Sequence, residues 1–413
     1  MSQPNINCRF CQTPLTQTFA DLGETPLANS YLPPTDAARA AERSFPLHVM
    51  VCGACRLVQT TETVPADAIF DHDYAYLSSY SKSWVEHAGR YANAMTDRFG
   101  LGPDSLVAEI ASNDGYLLQH FVGAGIPVLG VEPAGHAASL AEAKGVPTRI
   151  AFFGAETARN LVAEGHRADL IAANNVLAHV PDIRDFAAGF SILLAENGVA
   201  TFEFPHLLNL IRHVQFDTIY HEHYSYLSLL FVERLLSDAG MRVFDVEELP
   251  THGGSLRVFA CHAGAAHADA PGLAKVRADE TEAGLDTDAA YAAFGPRIDA
   301  IRTGFLDFIA QARAEGARVA GYGAAAKGNT FLNTCGADAK TLFAVADANP
   351  EKQDRLLPGT HIPVISPAAL LEARPDYVVI LPWNLRAEIS DQLGQIRDWG
   401  GKFVTAIPKL DVF

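Results

Sequence analysis

The segment Leu106–Val107–Ala108–Glu109–Ile110–Ala111–Ser112–Asn113–Asp114–Gly115–Tyr116–Leu117–Leu118 reads as a buried strand, a tight polar turn and the start of a helix. A second strand over residues 128–131 follows and ends in Glu132–Pro133. An acid at the tip of that strand is placed to accept both hydroxyls of a ribose. The turn lacks the close-packed glycines that let a backbone approach a pyrophosphate, and Glu109 at the end of the first strand would repel one. The pair of strands therefore favours a nucleoside without phosphates, of which S-adenosylmethionine is the common one. Glu109, Asn113, Gly115, Glu132 and Pro133 become the expected cofactor contacts.

Working outward, helix and strand alternate from about Tyr74, with strands expected over residues 106–110, 128–131, 169–173, 199–203 and 240–248. That order predicts a mainly parallel sheet covered on both faces, with ligands held beyond the carboxyl ends of its strands. Loops at those ends carry Phe152 and Phe153, flat enough to bracket an adenine, then Asn174 and His179. The densest cluster is Tyr220–His221–Glu222–His223–Tyr224–Ser225–Tyr226, six titratable side chains in seven residues. As a strand it would put Tyr220, Glu222, Tyr224 and Tyr226 on one face and the histidines on the other; as a loop its side chains could converge. His-x-His with Glu222 could also hold a metal, but no further ligand motif lies nearby. A tyrosine-rich stretch, residues 73–80, is either a lid on the cleft or aromatic packing between domains.

The chain has 413 residues, enough for two or three domains, with 49% hydrophobic and 19% charged residues, as in a globular protein. A net charge of −17 argues against nucleic-acid backbones as partners. No run of about 18 apolar residues suggests a membrane span. The first residues lack the basic and apolar regions of a secretion signal, so a cytoplasmic setting with reduced thiols is expected. Four of six cysteines fall in two pairs, Cys8–Arg9–Phe10–Cys11 and Cys52–Gly53–Ala54–Cys55. Two such knuckles give a closed four-cysteine site, the usual structural zinc arrangement, with Gly53 easing the second turn and a small β-rich insert between the pairs. A redox dithiol would need only one pair. Cys261 and Cys335 stand alone and read as core residues.

The C-terminal part opens on an Ala/Gly/His break at residues 263–271 and a long alanine-rich helical stretch. Then come a strand, a Gly321–Tyr322–Gly323–Ala324–Ala325–Ala326 turn and a helix beginning with Lys327, with Asp347 twenty-one residues past Ala326. That spacing matches the dinucleotide fingerprint, although the glycines could serve packing alone. A phosphate-free nucleoside in the first site and a diphosphate at the second would both be explained by a nucleotide-linked substrate.

These residues resemble the bacterial sugar C-methyltransferases that act on nucleotide-linked 4-keto-deoxysugars. The resemblance rests on the two Cys-x-x-Cys pairs, Glu-Ile-Ala-Ser-Asn-Asp-Gly-Tyr-Leu-Leu, His-Val-Pro-Asp, Tyr-His-Glu-His-Tyr-Ser-Tyr, His-Gly-Gly-Ser-Leu-Arg and Gly-Tyr-Gly-Ala-Ala-Ala-Lys-Gly-Asn-Thr. It implies an α/β chain of three parts: a zinc-binding domain over residues 1–70, a Rossmann-like S-adenosylmethionine-dependent methyltransferase domain over 71–265, and a Rossmann-like substrate-nucleotide domain over 266–413. It further implies methylation at C3 of a sugar carried on a nucleotide such as dTDP. His223 would be the base, Tyr220 and His179 donors near the C4 oxygen, Glu222 an orienting group and Tyr76 a contribution from the lid. His252, Gly254, Ser255, Lys327, Asn329 and Thr330 are the substrate candidates, and no obligate protein partner is evident. Two rivals remain. A nicotinamide-dependent dehydrogenase would use the C-terminal fingerprint, and a non-enzymatic zinc adaptor would use neither site.

Overall fold

The computed structural model describes residues 6–61 and 77–413. Strands β1 (Gln17–Thr25), β2 (Phe45–Val51) and β3 (Val58–Thr60) form an antiparallel meander, the β-rich insert expected between the cysteine pairs. In β2 the side chains alternate as the pleat requires. Leu47, Val49 and Val51 enter one hydrophobic core with the C-terminal part, while Met50 and Cys52 enter another with the middle part. The N-terminal module is thus a wedge with an apolar face on each neighbour.

The middle sheet contains β4 (Val107–Ile110), β5 (Val128–Val131), β6 (Thr148–Arg149), β7 (Ala168–Asn174) and β8 (Leu194–Pro205). The chain then forms the short β9 (Ser225–Tyr226) before returning with β10 (Met241–Leu249) and β11 (Ser255–His262). The order is β10-β11-β8-β7-β4-β5-β6. Strands β4 to β8 run parallel, while β11 is antiparallel to both of its neighbours. The chain starts in the centre at β4, builds outward through β5 and β6, then crosses back to β7. That reversal opens a crevice above the ends of β4 and β7, where doubly wound sheets bind ligands. The sequence reading missed β6, only two residues long, and β11, whose buried run lacks the alternation of a half-exposed strand.

The third sheet has the order β14-β13-β12-β15-β16-β17. Its strands are β12 (Val319–Tyr322), β13 (Val345–Ala346), β14 (Val364–Ile365), β15 (Tyr377–Ile380), β16 (Lys402–Thr405) and β17 (Asp411–Val412). All neighbours are parallel except the final pair.

Two links position the site. Strand β9 leaves the middle module and joins the N-terminal meander, pairing Tyr226 with Val58 and Ser225 with Gln59. The four-stranded sheet β1-β2-β3-β9 therefore includes the residues that directly follow the His-Glu-His run. The second link is the helix Pro271–Glu282, whose Leu273 and Val276 complete the core of the middle sheet. Its buried Glu280 accepts from the Leu229 and Leu230 amides at 2.6 and 2.8 Å and lies 2.7 Å from His206 Nε2. A carboxylate at the start of the helix Leu229–Asp238 satisfies donors that the helix itself cannot. Among the described residues no helix is long and apolar enough to cross a membrane.

Candidate active site

The turn after β4 is built from three left-handed residues, Ala111, Asn113 and Gly115, with φ of 57°, 49° and 75°. Glycine is favoured at 115 by both its left-handed φ and its packing, since a Cβ there would lie 3.1 Å from Ala141 Cβ, tighter than ordinary contact. Glu132, 5% exposed, closes the turn: its Oε2 accepts from the Asn113 amide at 2.9 Å and its Oε1 from the Ala134 amide at 2.8 Å. Each oxygen keeps a second lone pair for a further donor. Burial raises the Glu132 pKa, opposed by those two amides. Glu109 is almost fully buried, and burial holds its carboxyl well above the usual range, with the Tyr116 hydroxyl opposing and Glu132 and Asp114 adding to the rise. Asp114 is paired with Lys144 Nζ at 3.1 Å and Glu109 is pushed toward its neutral form, so Glu132 is the acid the turn offers to a ligand, and the residues present fit the ribose of S-adenosylmethionine.

A strap covers the turn from one side. The Ser78 amide donates to Asn113 Oδ1 at 2.9 Å, and Lys144 Nζ donates to Ser79 Oγ and the Asp114 carbonyl, each at 2.7 Å. Tyr76, the expected lid residue, lies outside the described residues. Pro133 follows Glu132 at the crevice edge, half-buried. Phe152 is 55% exposed, so a planar ring could cover it. Phe153 does not join it: its ring turns inward onto Phe186 and Phe190, with centroids 5.6 and 5.2 Å away. Apolar packing outcompetes a ligand-facing position there. Asn174 ends β7 with its Oδ1 buried and unpaired among the described residues. Replacing Glu132 by Ala should raise the Kd for S-adenosylmethionine about 10- to 100-fold by loss of charge-assisted hydrogen bonds. Titration calorimetry that returned the wild-type Kd would refute the placement.

The Tyr220–Tyr226 run is neither one strand nor one convergent loop. His221 Nε2 faces the N-terminal module, 3.3 Å from both the Phe45 and Pro46 carbonyls. Glu222 is also turned there, its Oε1 accepting from Asn29 Nδ2 at 2.6 Å. His223 turns the other way, packing against the rings of Tyr220 and His179 at centroid distances of 4.0 and 4.6 Å. The two histidines diverge, which removes the His-x-His metal reading. His223 Nδ1 lies 2.8 Å from the Thr218 carbonyl. A carbonyl only accepts, so Nδ1 carries the proton and Nε2 presents a lone pair. Burial holds the His223 pKa well below the ordinary imidazole value, reinforced by His179, Lys327 and His252. Burial likewise pushes His179 and His252 down to about 4. All three rings are neutral at neutral pH. His179 packs edge-on against His223 in the same cluster, and the Glu222 backbone beside it opposes the effect of burial.

The C-terminal module meets this cluster with the start of the helix Ala326–Thr334. Lys327 Nζ is buried without a hydrogen-bond partner among the described residues and sits 5.3 Å from the Trp383 ring centroid. Trp383 Nε1 donates to Asp217 Oδ2 at 2.8 Å, and burial raises Asp217 to about 6. Asn329 and Thr330 serve another purpose than the one expected. Asn329 Nδ2 donates to the Ala28 carbonyl at 2.6 Å and Thr330 Oγ1 to the Ile219 carbonyl at 2.9 Å, joining the modules. The two fingerprint glycines are taken up by packing, since Cβ atoms at Gly321 and Gly323 would lie 2.9 Å from Val345 and 2.3 Å from Pro382, and Gly328 in the following helix is likewise close to Leu381 at 2.8 Å. The Ala324 carbonyl in that turn accepts from the Tyr31 hydroxyl at 2.6 Å and Lys352 Nζ at 2.7 Å. A turn covered in this way leaves a dinucleotide little approach. His252 lies at φ 54°, its Nε2 3.4 Å from Asn175 Nδ2. Gly254 is fixed by Asn209, and buried Ser255 donates to the Thr251 carbonyl at 3.0 Å, so both shape the loop that carries His252.

The sequence reading missed a buried charge network beside His252. Glu203, fully buried near the end of β8, lies 3.0 Å from both His87 Nε2 and Arg257 Nη2 and accepts from Thr251 Oγ1 at 3.1 Å. Trp84 stacks on His87 at 4.9 Å and reaches toward His252 at 5.5 Å. An acid closing an apolar strand was the available signal, the same one that pointed to Glu132.

In the N-terminal module, the sulfurs of Cys8, Cys11, Cys52 and Cys55 lie within 4.8 Å of one another. Tetrahedral zinc with bonds of about 2.3 Å needs sulfur spacings of roughly 3.8 Å, so the set fits that ion. The knuckles repeat one geometry. Gln12 and Arg56 donate their amides to the Cys8 and Cys52 carbonyls, each at 3.0 Å, and each takes the left-handed conformation. The sharp turn of the second knuckle therefore sits at Arg56, not at Gly53, whose Cβ position is open. Cys261 and Cys335 are buried in core clusters, as expected.

Family profiles match three stretches: a zinc-binding domain at residues 8–70, a methyltransferase domain at 84–246 and a C-methyltransferase C-terminal domain at 250–408. The curated protein C-methyltransferase NovU from Streptomyces niveus is 36% identical over 407 residues, covering 98% of this chain and 96% of that protein. Among solved structures, an S-adenosylmethionine-dependent methyltransferase from Clostridium acetobutylicum ATCC 824 matches at 14% identity and a TM-score of 0.36, covering 44% of this chain and 92% of that chain. Magnesium protoporphyrin IX methyltransferase (ChlM) from Synechocystis PCC 6803 with bound SAM also matches at 14% identity and a TM-score of 0.36, covering 49% and 99%.

Proposed function

Because the chain belongs to the C-methyltransferase family and is an S-adenosylmethionine-dependent C-methyltransferase, we propose that it methylates C3 of a nucleotide-linked 4-keto-deoxysugar, with dTDP as the carrier. The observation that carries the reading is His223: a neutral imidazole, its tautomer set by the Thr218 carbonyl, with Nε2 presented beside Tyr220. Carbon–carbon bond formation needs a carbon nucleophile, and a hydrogen next to a ketone is the acidic one. His223 Nε2 takes the C3 proton, and the C–H electrons move to the C4 oxygen as an enolate. Tyr220 and His179 donate to that oxygen. S-adenosylmethionine supplies the electrophilic methyl group when bound. Glu132 holds its ribose, and Glu109, Asn113, Gly115, Pro133, Phe152 and Asn174 shape the rest of that pocket.

Glu222 orients the loop through Asn29. Lys327 and His252 face the nucleotide handle, with the Lys327 ammonium offsetting diphosphate charge. The four cysteines hold zinc as a structural ion. The dehydrogenase alternative has no support in the family profiles or the relatives, and the two glycines it would use, Gly321 and Gly323, pack closely against Val345 and Pro382.

The test is incubation with methyl-13C S-adenosylmethionine and a dTDP-linked 4-keto-6-deoxyhexose. The label is expected on C3. A C4 ketone acidifies C5 as well, so 13C at C5 would move the acceptor carbon, and 13C on oxygen or nitrogen would overturn carbon methylation.

A further inference from the structure

We propose that Arg9, inside the first cysteine knuckle, is a positioning residue that fixes the base-bearing loop by gripping its backbone; this rests on the reading of His223 as the base. Arg9 reaches 215 residues along the chain, where its Nη2 donates to the Tyr224 carbonyl. The same nitrogen reaches Ser225 Oγ at 3.5 Å, and Nη1 donates to the Thr60 carbonyl at 3.0 Å. The guanidinium also lies over the Tyr224 ring, 5.6 Å from its centroid. Tyr224 is fully buried and directly follows His223. Its carbonyl is held a second time, by the Thr60 amide at 3.1 Å.

The other end of this linkage is the cysteine cluster. The Arg9 amide donates to Gln59 Oε1 at 2.9 Å, and Gln59 Nε2 donates to Cys8 Sγ at 3.2 Å. Arg9 is also flanked by two of the four thiol donors, so its backbone moves only as the knuckle moves. A rigid knuckle, a planar fork and one peptide carbonyl thus connect the N-terminal module to the peptide next to His223. His223 itself is restrained by Thr218, Tyr220 and the His179 ring. The loop is also tied to the N-terminal module by Asn29 on Glu222, by the Phe45 and Pro46 carbonyls at His221 and by the pairing of β9 with β3. Among these, Arg9 and Thr60 grip the carbonyl of the residue directly after the base. Arginine suits this task because its rigid planar fork meets two carbonyls and a hydroxyl in a fixed geometry, whereas a lysine ammonium is a point charge on a flexible stem with no such fixed directions.

The test compares Arg9→Met and Arg9→Lys with wild type. Both variants are expected to hold one Zn2+ per chain by mass spectrometry and to bind S-adenosylmethionine within twofold of wild type. Amide hydrogen exchange over residues 224–226 should speed up while that of β4 stays unchanged. In the absence of S-adenosylmethionine, exchange of the C3 proton of the dTDP-linked 4-keto-6-deoxyhexose with solvent should slow about 100-fold in Arg9→Met, as for a reacting group displaced by about 1 Å. KM should stay within threefold, and Arg9→Lys should recover part of the rate. Unchanged C3 exchange in Arg9→Met, with His223→Gln abolishing it, overturns the proposal. If His223→Gln also leaves C3 exchange intact, the base assignment has failed instead. The link is then decided by the amides alone, and unaltered protection of residues 224–226 overturns it. Should Arg9→Met not fold, Arg9→Lys carries the same comparisons.

Discussion

His223→Gln should lower both turnover and C3-proton exchange by about a thousandfold, within the range that general-base catalysis contributes, while leaving the Kd for S-adenosylmethionine unchanged. Glutamine can still donate to the Thr218 carbonyl that His223 Nδ1 faces at 2.8 Å, so the loop keeps its anchor and loses only the basic nitrogen. Burial and the nearby positive charge of Lys327 both disfavour imidazolium, which places the His223 pKa well below 6.5. A base acts in its unprotonated form, so wild-type exchange should hold its plateau through neutrality and fall only on the acid side of pH 6.5. A limb centred above pH 6.5 would contradict the environment described for this ring. A depressed pKa makes His223 a weaker base, and the Tyr220 donor that stabilises the enolate oxygen supplies the compensation. Proton exchange read by nuclear magnetic resonance without S-adenosylmethionine separates this step from methyl transfer. Exchange at the wild-type rate in His223→Gln would transfer the role to another group.

The features legible in the sequence are those whose chemistry closes over a few residues. The turn after β4, the acid at the tip of β5 and the pairing of the four cysteines are each local patterns and fold as read, although the sharp turn of the second knuckle falls at Arg56 and not at Gly53. What was not legible depends on partners far away in the chain. Glu222 and His223 are neighbours, yet one turns to Asn29 and the other to the crevice, because β9 pairs with Val58 and Gln59 of the N-terminal meander. No periodicity within seven residues encodes that pairing. The C-terminal fingerprint misled for the same reason. Its spacing is that of a dinucleotide turn, but Val345 of β13 and Pro382, just past β15, claim the space that Gly321 and Gly323 leave. Phe153 was drawn inward by Phe186 and Phe190, which a loop reading could not see. Glu203 was overlooked because its partners, His87, Thr251 and Arg257, come from three separate segments.

Stripping the metal with a chelator, or removing one ligand with Cys52→Ser, should abolish C3-proton exchange and methyl transfer together. The N-terminal meander has too little core of its own. Its two apolar faces are buried against different modules, and its cysteines sit in the core of the middle sheet beside Phe10, Leu227 and Phe231. Four unliganded thiols would leave that junction without the cross-link, and structural zinc contributes about 10–16 kcal/mol in small metal-folded modules. That exceeds the stability of many whole domains, about 5–15 kcal/mol. Heating should therefore show a separate low-temperature transition in the stripped protein, absent when Zn2+ is restored. Loosening should spread to β9 through the Val58 and Gln59 pairing and reach the peptide after His223. It should not reach the S-adenosylmethionine pocket. Glu132 is held there by amides of its own module, and the surrounding packing of Val107, Tyr116, Leu118 and Ala141 forms a core without N-terminal residues. Calorimetry should return S-adenosylmethionine binding within a few-fold of the loaded protein while hydrogen exchange at residues 224–226 rises sharply. Equal loss of both would mean that the metal supports the whole molecule, and survival of C3 exchange without metal would mean that the cysteine module does not hold the base in place.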